Sequence, residues 1–384
     1  MNKIFRILFL LFLNFILINN QSFAEQPKIS IGLLVPLTGD NSNLGKQIIS
    51  ATRLAVKDIN SNKIEIYPKD TQSNPDITLQ SALELKQLGV NLIIGPIFHK
   101  NLVYLDEVED VTFLSFTNKT LDLPKNIIST GINSVSQLNT IKKFIELNEI
   151  KKTIFLIPNL NYDLEIKQGI KKSKIKPFKQ YYYDIEPTKL TKKIEKITNY
   201  EVRKQNLIDE INRLEKSEDP NKERKIKNLK KRYSIGNVNF DSIIIADFDK
   251  SLKSVVTSLL YTDVSPKNKY FITFNQWFDK SLLNETSSHP IYYPSINKKN
   301  LEDFEKKFFK KFNQNPNHIS LLSYDLVGLI YYLSLKNELS QINKAFSAKN
   351  SFKGKIGIFD IENNRINHRL NFYKIENGSL IEIF

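Results

Sequence analysis

The chain has 384 residues, a formal net charge of +15, 41% hydrophobic residues and no cysteine. Without cysteine there is no disulfide framework, no thiolate metal site or nucleophile, and no lipid-bearing cysteine behind an N-terminal leader. Roughly 360 residues remain once such a leader is set aside, enough to bury two cores with no covalent staple.

Met1 to Ala24 reads as a cleavable signal peptide. Lys3 and Arg6 supply the positive start, Ile7 to Ile18 form an apolar run broken only by Asn14, and the small residues Ser22 and Ala24 fit a peptidase site before Glu25. The run is too short to span a bilayer, and no later segment reads as apolar enough to do so. Export through this leader puts the mature chain in the periplasm as a soluble protein and not a lipoprotein.

After the leader, strand-length apolar runs alternate with helical patterns, the signature of parallel sheets covered by helices on both faces. Lys28–Pro36 is a buried-strand run, Leu37–Asn43 a polar turn, and Gly45–Asn60 a helix with Ile48, Ala51, Ala55 and Ile59 on one face. Ile64–Tyr67, Asn91–Ile94 and Phe113–Ser115 follow as strands, with a helix over Asp76–Leu88. Ile127–Ser134 looks extended and turn-like, a crossing from one lobe to another. A second series then runs through helix Val135–Asn148, strand Thr153–Pro158, a helix after Tyr162 and strand Phe178–Tyr183.

Alternation breaks between Leu190 and Tyr233. Leu207, Ile211 and Leu214, then Ile226, Leu229 and Tyr233, mark two amphipathic helices, and Asp219-Pro220 between them suits a cap with Pro in the first helical position. A helical hairpin insertion over 188–233 in the second lobe is the expectation. Thr188–Tyr233 holds 15 Lys or Arg against 8 Asp or Glu, so the positive charge is concentrated here. Such a run fits a solvated surface, an anionic lipid or an acidic wall polymer; export and the lack of interleaved aromatics argue against nucleic acid. Alternation resumes with strand Asp241–Ala246, helix Lys250–Tyr261, strand Tyr270–Phe274, helices Leu301–Phe312 and Ile319–Leu335, and strands Gly354–Phe359 and Arg369–Ile375.

In open α/β sheets ligands bind beyond the carboxyl ends of the strands, where helix N-termini offer free N–H groups. Thr38 and Gly39, Gly95 and His99, and Ser115 and Thr117 occupy such ends and suit a carboxylate or another small polar or anionic molecule. Each is also compatible with ordinary turn chemistry.

Three segments are similar to the type 1 periplasmic binding proteins of the leucine-binding branch, the branched-chain amino acid receptors. These are Ile31–Asn60, Leu92–Thr117, and the closing series Asn315-Pro316, Ser323–Leu326 and Phe352–Asp360. The resemblance implies an α/β fold of two Rossmann-like lobes with parallel sheets, joined by three crossings around a ligand cleft. Lobe 1 is expected over 25–134 and 280–350, and lobe 2 over 135–279 and 351–384. It also implies that Tyr162 caps a ligand from the second lobe, and that the function is non-enzymatic solute binding for ABC-type uptake, with an inner-membrane permease as partner.

Two departures stand out. His99 with Lys100 occupies the loop where the branch's amino-acid binders offer a serine, and Phe274-Asn275-Gln276-Trp277 lacks the acidic residue that holds an ammonium group. Trp277-Phe278-Asp279 resembles a sister group, the penicillin-binding-protein activators, which implies the alternative of a scaffold contacting a cell-wall synthase through the basic hairpin.

No serine-hydrolase, zinc-protease or phosphate-loop motif is present, and His99, His289, His318 and His368 are scattered singly. Neither catalysis nor a cofactor nor a metal is expected.

Overall fold

The computed structural model describes residues 28–160, 162–274, 278, 280–336, 345–346, 349–362 and 365–384. The expected leader Met1–Ala24 and the residues Asn275–Trp277 and Asp279 lie outside that set.

The first lobe begins with β1 (Ile29–Val35), α1 (Ser42–Ile59), β2 (Ile64–Asp70), α2 (Pro75–Gln87), β3 (Leu92–Ile94), β4 (Thr112–Ser115) and β5 (Ile127–Ser129). These strands pair in parallel, in the order β5-β4-β3-β1-β2. The chain crosses at Thr130–Asn133 into α3 (Ser134–Leu147), β6 (Thr153–Pro158), α4 (Asp163–Ser173), β7 (Lys179–Tyr183) and α5 (Pro187–Ile197). It continues through α6 (Tyr200–Glu215), α7 (Lys222–Leu229), β8 (Ser242–Ile245), α8 (Asp249–Tyr261), β9 (Tyr270–Thr273) and β10 (Ile291–Ser295). A second crossing leads back to α9 (Lys298–Phe312), α10 (His318–Leu335), β11 (Asn350–Lys353), β12 (Ile358–Glu362) and β13 (Arg365–Arg369) in the first lobe. A third, at Leu370, returns the chain to β14 (Asn371–Glu376) and β15 (Ser379–Glu382) in the second.

The result is two α/β sheets, one of eight strands and one of seven, mostly parallel but finished at one edge by antiparallel pairs. The expected lobe boundaries therefore need correction. Ile291–Ser295, placed by sequence in lobe 1, pairs with β9 and β14 in the second sheet. Asn350–Arg369, mostly placed in lobe 2, belongs to the first. The switch back to the second lobe falls at one residue, Leu370, inside a run that reads in sequence as a single strand.

Each sheet is covered on both faces. Alternate residues Ile31, Leu33 and Val35 of β1 meet Ile48, Ala51 and Ala55 of α1 together with α10, whereas Leu34 and Ile93 face Ala82 and Leu85 of α2. Helix α10 is long and apolar enough to cross a membrane by length and composition, against expectation, yet it is the central helix of the first lobe. Its contact with α1 includes a buried hydrogen bond between the hydroxyls of Thr52 and Ser323, 2.8 Å apart.

The crossings are stitched together. Asn133 Nδ2 donates to Ile366 O (3.0 Å), His368 N donates to Ser136 Oγ (2.9 Å), and His368 Nε2 lies 2.8 Å from Thr130 O.

The basic insertion also differs from expectation. Pro187–Ile197 is part of the lobe body, with Leu190 and Ile194 buried in its core. The projecting pair is α6 and α7, and α7 stops at Leu229, short of Tyr233. Asp219 does not cap with Pro220 in the first turn: its carboxylate accepts from Asn221 N (2.8 Å) and pairs with Lys225, organising the turn before α7.

Candidate functional site

The ends of the parallel strands place the loops after β1, β3 and β4 on one end of the first lobe, and those after β6 and β8 on one end of the second. Local chemistry then decides which side chains remain available.

After β1, Asp70 at the end of β2 collects the turn. Its carboxylate accepts from Leu37 N (2.7 Å), Thr38 Oγ1 (2.6 Å) and Gln72 N (2.9 Å). Burial pushes the carboxyl up, but the Leu37 N–H and Thr38 hydroxyl outweigh that and hold it below the usual carboxylate range. Thr38 is thus committed to an exposed turn, with Gly39 exposed beside it at φ 73°.

After β3, Gly95 sits at φ 107°, and a Cβ there would stand 2.3 Å from Leu34 O, so the backbone demands glycine at this turn. Ser115 is fully buried; its hydroxyl donates to Pro96 O (2.9 Å) and accepts from Thr117 N (3.2 Å). Gly95 and Ser115 therefore build the wall behind the site.

In front of that wall is a cavity of about 430 Å³, bordered among others by Phe98, His99, Phe116, Thr117, Lys119 and His318. Thr117 Oγ1 accepts from Lys119 N at 3.2 Å and so shapes the turn that presents Lys119. Buried His99 Nδ1 has no hydrogen-bond partner among the described residues. Burial, with the nearby charge of Lys119 in second place, lowers the His99 pKa, and burial lowers that of His318. Both shifts favour the neutral imidazole, and among the described residues that border the cavity Lys119 is the cation. Of the residues expected here, His99 and Thr117 border the cavity, whereas Thr38, Gly39, Gly95 and Ser115 do not.

The second lobe brings a residue that the sequence reading passed over. Asp247, at the end of the buried run Ser242–Ala246, is 3% exposed. Its carboxylate accepts from Tyr183 Oη (2.6 Å), Phe248 N (2.8 Å), Tyr162 Oη (3.4 Å) and Ser251 Oγ. Burial first, then the carboxylate itself, drives both tyrosine hydroxyls far above their ordinary pKa, so they remain protonated donors. Among the described residues no Lys or Arg pairs with Asp247. Tyr162, half-buried with its ring 6.1 Å from that of Phe248, belongs to this cluster. The strand-end rule applied to β8 would have found Asp247; the expectation looked for the acid one strand later, at residues outside the described set.

Beside the cavity the lobes are tied together. Glu165 of α4 is buried, and its carboxylate accepts from Thr120 N (2.8 Å), Thr120 Oγ1 (3.0 Å) and Leu121 N (2.8 Å) in the first lobe. Within the first lobe, Arg365 Nη2 donates to Thr120 O at 3.2 Å and braces the segment that Glu165 holds.

Comparison with known proteins agrees with this architecture. Residues 28–173 match the model of a periplasmic binding protein family. The C-domain of LpoA from Haemophilus influenzae, a regulator of PBP1A, is 15% identical with a TM-score of 0.62, covering 92% of this chain and 100% of that one. The chain spans 60% of full-length LpoA. A solute-binding protein of an ABC transporter from Rhodopseudomonas palustris, solved with 3,4-dihydroxybenzoic acid, is 17% identical (TM-score 0.55; 93% and 96% covered). The leucine-binding protein LivK from Thermotoga maritima is 13% identical (TM-score 0.53; 93% and 98% covered). Among curated proteins none matches by sequence. The fold is that of the type 1 periplasmic binding proteins.

Proposed function

We propose that this chain is a periplasmic receptor whose lobes close on a small molecule bearing a carboxylate, for delivery to an inner-membrane ABC transporter. The observation that carries the reading is the first-lobe cavity, where Lys119 and His99 border a space walled by Phe98 and Phe116. A carboxylate entering this space would pair with the Lys119 ammonium through charge-assisted hydrogen bonds. The aromatic walls favour a flat or branched apolar body behind the anionic group. Ligands in the solved neighbours, dihydroxybenzoate in one, have this form.

Thermal melting across a panel of aromatic carboxylates and amino acids tests the proposal. One class should raise the melting temperature by several degrees at millimolar concentration, and Lys119→Ala or His99→Ala should abolish most of that rise without lowering the unliganded value. A panel with no responder removes the receptor reading.

The Glu165 clasp favours a second reading, a rigid scaffold that regulates a cell-wall synthase as the LpoA neighbour does. Buried hydrogen bonds that join the two lobes suit that role. Stable capture of a synthase that survives Glu165→Ala would argue against rigidity as its basis; a melting response to no ligand together with capture lost in Glu165→Ala would favour it.

A further inference from the structure

Strands β6, β7, β8 and β9 run parallel, so the residues preceding each gather at the end of the second lobe opposite Tyr162 and Asp247. That pole is rich in lysine, with the acids Glu149, Asp241 and Asp263 among the cations. Lys151 and Lys152 precede β6, Lys176 and Lys179 flank the start of β7, and Lys267 precedes β9, all exposed. Helices α6 and α7 project from the same end, since they lie between the end of α5 and the start of β8. From Lys222 to Arg232 there are seven Lys or Arg against the single acid Glu223. Lys225 is tied to Asp219, while Arg224, Lys227, Lys230, Lys231 and Arg232 stay exposed with no ion pair among the described residues.

Aromatic rings stand among these cations, an arrangement that linear sequence conceals. Phe178 is 40% exposed, with the Nζ of Lys152 and of Lys179 at 5.5 and 5.7 Å from its centroid. Lys152 Nζ also donates to Asn239 Oδ1 on the return from α7, which joins the strand ends and the helical pair into one surface. Tyr233 and Tyr261, 58% and 43% exposed, lie with ring centroids 6.0 Å apart at the base of the projection.

We propose that this pole docks on an anionic phospholipid surface. Clustered Lys and Arg are attracted to acidic head groups, and half-exposed Phe and Tyr seat at the depth where an apolar body and a polar edge are both satisfied. A soluble acidic polymer would use the cations but leave the exposed rings without a role. The pole faces away from the cavity, so the inference stands independently of which function the cavity serves.

Co-sedimentation of the mature chain with vesicles tests it. Binding should occur with phosphatidylglycerol in phosphatidylcholine and not with phosphatidylcholine alone, and should weaken steeply as salt rises from about 50 to about 500 mM. Replacing Lys227, Lys230, Lys231 and Arg232 with Gln should lower the partition coefficient on the order of 100-fold, and Phe178→Ser by several-fold. All four side chains are exposed and form no ion pair among the described residues, so the melting curve of the four-fold variant should match the parent. If that curve falls instead, the salt series on the unaltered chain still decides. No vesicle binding, equal binding to neutral vesicles, or binding untouched by the four substitutions overturns the proposal. So does capture of soluble polyglutamate with no vesicle binding, which assigns the pole to an acidic polymer.

Discussion

The two lobes solve the same problem at their strand ends in opposite ways. In the first, the polar groups of the turns bond to one another: Thr38 to Asp70, Ser115 to Pro96 and Thr117 to Lys119. What remains bordering the cavity is a lysine and two imidazoles. In the second, four donors from four places converge on one buried carboxylate, Asp247. The difference teaches that a hydroxyl at a strand end is more often spent on the turn that presents it than held for a ligand.

The largest effect should come from removing the convergent carboxylate. Asp247→Ala strands the hydroxyls of Tyr183 and Ser251 and the Phe248 N–H in a buried setting, at a cost of about 3–4 kcal/mol. Asp247→Asn keeps shape and part of the bonding and should cost about half as much. Urea unfolding followed by tyrosine fluorescence measures both. Equal losses for Ala and Asn would mean that the charge, and not the hydrogen-bond network, holds this end of the lobe.

The crossings offer a pH-dependent test of whether the lobes are mechanically separate. Burial drives the fully buried His368 down to about 4, against the pull of its contact with Thr130 O. Its folded pKa lies below the ordinary 6.5, so the stability it confers is complete above pH 6.5 and is lost as pH falls toward 4. The stability difference between the parent and His368→Gln should therefore shrink by up to about 3 kcal/mol over that interval. Asp325 runs the other way. Burial pushes it up to about 7, against the N–H groups of Ile356 and Lys355, so its contribution is present at low pH and fades as pH rises from about 4 to 7. The parent should look flatter with pH than either variant, and a parent as steep as Asp325→Asn would contradict the pairing of the two.

Much of the fold was legible because each strand is a buried apolar run and each helix has one apolar face. Thr153–Pro158 and Tyr270–Thr273 are strands almost to the residue as expected. The boundaries that failed are those where periodicity carries no information. Ile291–Ser295 is a short run containing Pro294 that lies between β9 and β14, paired antiparallel to a segment about 80 residues away in sequence. The change of lobe at Leu370 leaves no mark, since an extended chain passing between two sheets alternates just as one strand does. Within the site, His99 stood out as a departure from the resembled pattern and does border the cavity. Gly95 and Ser115, expected as ligand contacts, do not border the cavity: packing against Leu34 O and bonding to Pro96 O and Thr117 N take them up.

A smaller effect tests that distinction directly. Ser115→Ala removes a fully buried donor to Pro96 O and an acceptor for Thr117 N, and should cost about 1–2 kcal/mol while also loosening the Lys119 turn. Thr38→Val is the matched control at the exposed end of the same lobe. Its loss removes one of three donors to Asp70, whose carboxylate keeps Leu37 N and Gln72 N and is open to water, so the cost should stay within about 0.5 kcal/mol. Any ligand that raises the melting temperature should do so equally in Thr38→Val and in the parent, because Thr38 is not on the cavity. A ligand response lost in Thr38→Val with stability intact would mean that the bound form re-aims this hydroxyl. The first lobe would then hold reserve contacts of the kind its self-bonded turns conceal.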